Sequence, residues 1–156
     1  MSRRNWKVWR PTSLQEAVEG CVRYAQDHDA RTSVERIGDL VGENKWTLYK
    51  WMETGAIPAR KIPGFEMACG RAYITEYLAL SAHKLVVDMP TGRRATPIDV
   101  HALQQACNDA VGALLAFHKG AASASETIDH LTAAMTLLAH ERAQVERAAQ
   151  PELELP

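Results

Sequence analysis

The chain has 156 residues, 46% hydrophobic and 24% charged, which suits one folded domain with or without an appendage and excludes wholesale disorder. The net charge of −1 hides an asymmetry: residues 1–71 carry twelve Lys and Arg against nine Asp and Glu, and residues 72–156 carry six against ten. That split fits an anion-binding N-terminal module joined to an acidic C-terminal part.

Cys21, Cys69 and Cys107 are odd in number and far apart, with no CxxC or Cys/His spacing, so neither a disulfide framework nor a zinc site is expected. The longest apolar run, Ala110 to Phe117, falls far short of the ~20 residues of a membrane span. No apolar stretch follows the basic N-terminus, so no secretory signal is read there. The expectation is a soluble, cytoplasmic protein with reduced thiols.

In chain order, a basic arm, 1–12, precedes the first helix. Thr12 and Gln15 suggest a capping box for a helix over Ser13–Asp27. Ser33 caps a short helix, Val34–Val41, with Ile37, Leu40 and Val41 inward, ended by Gly42. Asn44 caps a third, Lys45–Glu53, ended by Gly55. Pro63 suits the first turn of a fourth, reaching Cys69. A fifth, Tyr73–His83, would bury Ile74, Tyr77, Leu78 and Leu80. The fold class expected is all-α, with at most one short strand near 84–89. The domain so read spans 13–90, with a linker at 91–96. A helical hairpin over 97–149 follows, its second helix capped by Ser123 or Ser125, and 150–156 forms a loose tail.

The second and third helices carry the functional signal. Counted from Val34, Gly38 is the small fifth residue, Gly42 the turn glycine, and Ile37, Val41, Leu48 and Trp51 the apolar lock of a helix-turn-helix. Glu43 departs from the apolar residue usual after the turn glycine. The outward side of the third helix, Asn44, Lys45, Trp46, Thr47, Tyr49 and Lys50, has no acid before Glu53. Such donors, cations and aromatics meet base edges, thymine methyls and phosphates in a major groove. Arg60 and Lys61 follow at a plausible phosphate position, with Arg71 a weaker candidate. In the arm, Arg3, Arg4, Lys7 and Arg10 alternate with Trp6 and Trp9. It suits DNA contact and anchoring on the domain equally.

These residues, with Leu48-Tyr49-Lys50-Trp51, Ile57-Pro58-Ala59-Arg60 and Ile62–Gly70, resemble the CII-type regulatory proteins of temperate phages and prophages over residues 13–90. The resemblance implies a λ-repressor-like helix-turn-helix transcription regulator that binds an operator as an oligomer. It also implies that Asn44, Lys45, Trp46, Tyr49 and Lys50 are the readers. Double-stranded DNA and the chain itself are the expected partners, and RNA polymerase is a further candidate.

In the hairpin, Leu103, Cys107, Ala110, Leu114 and Phe117, then Ile128, Leu131, Met135, Leu138 and Val145, recur in a seven-residue rhythm. Val111, Leu115, Ala134 and Ala139 widen each stripe beyond what one partner helix covers. A dimer or tetramer closing a four-helix bundle is therefore expected.

Enzyme readings find no support: there is no glycine-rich phosphate loop, no GxSxG and no HExxH. His101, His118, His130 and His140 lie on the hairpin without inward pairing, so neither metal nor cofactor is expected. Two alternatives remain, a recombination directionality or architectural factor and a helix-turn-helix protein–protein adaptor.

Overall fold

A computed structural model describes residues 5–6, 9–29, 31–88 and 97–149. Among these the chain is entirely helical, with seven α-helices, one 3-10 turn and no strand. It divides into two compact units, 1–86 and 87–156.

The first unit holds α1 (Leu14–His28), α2 (Val34–Val41), α3 (Lys45–Thr54), the 3-10 turn Ala59–Lys61, α4 (Ile62–Cys69) and α5 (Tyr73–Ser81). Most boundaries follow from local chemistry. Ser33 accepts from the Arg36 amide and Asn44 from that of Thr47, each supplying an acceptor for an unpaired first-turn N–H. Gly42, Gly55 and Gly70 end α2, α3 and α4 in the left-handed conformation. The cap of α1 lies one residue later than expected: Ser13, not Thr12, accepts from the Glu16 amide, and Glu16 reaches back to the Thr12 N–H and hydroxyl.

One core is built from Val18, Cys21 and Val22 of α1, Ile37, Leu48, Phe65, Tyr73 and Ile74, all essentially inaccessible, with Trp51 at its margin. Helix α1 packs on α3, α4 and α5, and α2 packs on α4. Glu66 is a buried carboxylate with a structural task. It accepts from the Thr75 amide at 2.8 Å and the Thr75 hydroxyl at 2.6 Å, capping α5, whose own cap position, Ala72, offers no side-chain bond.

Several inward assignments are overturned. Leu40, Leu78 and Leu80 are largely exposed; their helices are two to three turns long and Val34, Ile37, Tyr73 and Ile74 already fill the core. Helix α5 stops at Ser81 rather than His83, because His83 itself takes a left-handed φ of 55° and the Lys84 amide closes on the Ala79 carbonyl. Residues 84–88 form no strand.

The second unit is an α-hairpin, α6 (Pro97–His118) and α7 (Ala124–Ala149), packed on each other and joined through Gly120. Ser123 caps α7. Only Ala110, Thr127 and Ala134 are buried among its described side chains. Leu103, Cys107, Leu114, Leu131 and Met135 are half-buried, while Phe117, Ile128, Leu138 and Val145 are exposed, as are Val111 and Leu115. The expected linker and tail lie outside the described residues.

Candidate nucleic-acid interface

Three residues, Gly42, Glu43 and Asn44, join α2 to α3. Gly42 has φ 67°, which an L side chain rarely adopts. Gly38 is required for closeness: a β-carbon there would lie 2.6 Å from the Glu43 carbonyl oxygen. On the inner side Ile37, Leu48 and Trp51 are buried and Val41 is packed against them. The four apolar positions expected to hold the two helices together thus share one core.

The outer side of α3 presents Trp46 at 72% exposure, Tyr49 at 47%, and the exposed Asn44 and Lys50. The Trp46 and Tyr49 rings lie 6.1 Å apart and tilted, making a shallow aromatic ledge. Trp46 is thus outside the core. Arg60, on the 3-10 turn, is exposed. Lys50 and Arg60 have no ion-pair partner among the described residues.

Four expected contacts sit differently. Lys45 pairs with Glu35 of α2 and lies 5.7 Å from the Trp46 ring. The bond holds the Glu35 carboxyl below, and the Lys45 ammonium above, their usual ranges. Thr47 is half-buried, its hydroxyl bonded to the Asn44 side chain, so it supports the cap rather than facing outward. Lys61, placed by sequence at a phosphate, lies 2.9 Å from the Glu43 carboxylate and 2.9 Å from the Val41 carbonyl. Arg71 pairs with Glu76 at 3.2 Å and stacks over Tyr73.

Of the arm, Arg3, Arg4 and Lys7 lie outside the described residues. Trp6 and Trp9 pack against the core. Trp6 stacks on Tyr73, Trp9 meets that ring edge-to-face at 4.8 Å, and the Trp6 indole donates to Asp27 at 2.8 Å. These two tryptophans are anchors of the domain.

Sequence reasoning missed Glu35 and the task of Glu43. The only signal for Glu43 was its misfit at an apolar position, and nothing local links it to Lys61. No three His, Cys, Asp or Glu side chains group at metal-binding distance among the described residues, and no helix there is long and apolar enough to cross a membrane. Comparison with known proteins returns no matching family model, no curated relative and no similar solved structure.

Proposed function

We propose that the protein is a sequence-specific DNA-binding transcription regulator that acts as an oligomer, with α3 lying in the major groove. The observation that carries this reading is the outer face of α3. Asn44, Trp46, Tyr49 and Lys50 stand exposed on a short helix with no acid before Glu53, behind a glycine turn that fixes it on α2. An amide and an ammonium on such a face reach base edges, and the aromatic ledge offers carbon to thymine methyls. Arg60 at the far end of the same unit supplies a backbone contact. The resemblance to CII-type phage regulators points the same way.

Self-association rests on the hairpin. Helices of 22 and 26 residues that bury so few side chains between them leave Val111, Leu115, Ile128, Leu138 and Val145 wet. A second hairpin would cover that stripe and bring two α3 helices to two half-sites, adding the affinity of linked binding.

The decisive experiment selects duplexes from a random-sequence pool with the full chain and then titrates the recovered duplex at several salt concentrations. A shared sequence and an affinity that falls steeply with salt are expected. Recovery of no common sequence overturns sequence-specific recognition, and salt-independent binding overturns the groove-docked arrangement.

A further inference from the structure

We propose that Lys61 is a positioning residue for α3, acting through Glu43 and the end of α2 rather than on a phosphate; the inference rests on the DNA-binding reading of α3. Glu43 stands where an apolar side chain would usually close the turn, and only about a quarter of its side chain is exposed. A carboxylate withdrawn that far from water needs a partner. Lys61 supplies it, with Nζ 2.9 Å from Glu43 Oε1. The same ammonium donates to the Val41 carbonyl at 2.9 Å. That carbonyl belongs to the last turn of α2, where no helical donor remains and the helix dipole favours a cation.

One side chain therefore ties together the end of α2, the turn, and the 3-10 turn that leads into α4. The backbone is pinned from the other side as well. The Glu43 amide donates to the Gly38 carbonyl at 2.9 Å, and Gly38 leaves no room for a β-carbon against the Glu43 oxygen. Glu43 immediately precedes Asn44, the cap of α3, so holding Glu43 sets the direction in which α3 leaves the turn. The ion pair takes the place of the missing apolar contact, and the charge of Lys61 is engaged inside the fold.

The test uses the full chain, a duplex recovered from a random-sequence pool by the unmodified chain, and residue-resolved amide exchange. Lys61→Met should weaken duplex binding about tenfold while the slope of log affinity against log salt stays at the parent value. Lys61→Arg should restore binding. Glu43→Leu in the Lys61→Met background, which supplies the usual apolar contact, should recover most of the loss. In Lys61→Met the amides of residues 42–47 should exchange faster while those of Val22 and Ile74 keep their protection. A salt slope reduced by about one unit makes Lys61 a phosphate contact, and unchanged exchange over 42–47 removes the clamp; either result overturns the proposal. If the parent chain recovers no duplex, the DNA-binding reading fails alone, and the exchange measurement still decides the clamp.

Discussion

The indole edge of Trp9 rests directly on Gly20, so near that a β-carbon at residue 20 would lie 2.4 Å from the Trp9 Cη2. The arm is thereby seated in a notch that only glycine leaves open on α1. Gly20→Ala should push Trp9 from its place against Trp6 and Tyr73 and cost about 1–3 kcal/mol in urea unfolding. In a Trp9→Ala background the same change should cost almost nothing, and a full penalty there would contradict the notch. Deleting residues 1–10 should lower the melting temperature. Any accompanying loss of salt slope would count the phosphate contacts made by the arm's cations.

On the outer face of α3, Lys50→Ala and Tyr49→Ala should each weaken binding to the selected duplex by about 1–3 kcal/mol. Both side chains are exposed, so circular dichroism and melting temperature should hardly move. Parent-like binding by both variants would show that another face meets DNA.

The two glycines of the α2–α3 connection should fail in different ways. A β-carbon at Gly42 would have nothing within 4 Å of it, so the cost of a side chain there is conformational alone. Gly42→Asn should be tolerated and Gly42→Val should not, because Asn visits the left-handed region far more readily than a β-branched residue. Gly38→Ala has ordinary helical backbone but collides with the Glu43 carbonyl, so it should disturb the turn even though alanine favours helix. Trp51→Ala, which empties the space beside Phe65, should cost about 3–5 kcal/mol by denaturant titration.

For the hairpin, light scattering of the full chain should report a dimer or larger. Leu115→Glu combined with Leu138→Glu, both on exposed positions of the hairpin, should shift it toward monomer without unfolding the first unit. A monomeric parent at micromolar concentration would end the oligomer proposal. A chain ending at Arg94 should remain folded and bind the duplex poorly.

The buried thiols make an alkaline prediction. Burial pushes Cys21 up to about 12 and raises Cys69 as well. In the unfolded chain both ionise near pH 8.5. The folded state then holds protons that the unfolded state has released, so stability present below about pH 8.5 is lost as pH rises toward 12. The loss approaches about 1.4 kcal/mol per pH unit per thiol, and Cys21→Ala should remove one thiol's share. At neutral pH a thiol reagent should modify the half-buried Cys107 first and reach Cys21 and Cys69 only on unfolding.

The features legible in the sequence were those decided within a few residues. Ser33, Gly42, Asn44 and Gly55 cap or stop their helices through bonds to the adjoining turn, the serine and asparagine to the one that follows and the glycines to the one that precedes, so sequence and local geometry carry the same information. Ile37, Leu48 and Trp51 were legible because a helix pair locked by few residues must bury those few. Leu40, Leu78 and Leu80 were not, because eight- and nine-residue helices hold too few turns for periodicity to say which apolar side chain meets a neighbour. The engagement of Lys61 within the fold was not legible for a related reason. Its partners, Glu43 and the Val41 carbonyl, come from a different helix pair, and only the packing of α2 on α4 brings them together.

Because the carboxylate that starts α5 comes from Glu66 of the preceding helix, the turn at residues 70–72 works as a fixed-length spacer. One added residue would carry Thr75 away and leave the buried Glu66 carboxyl without its donors. The exposed 119–123 connection of the hairpin is under no such constraint, its residues lying in the open apart from the half-buried Ala122. Natural variants of this chain should therefore differ in length there and keep the count between Glu66 and Thr75 constant.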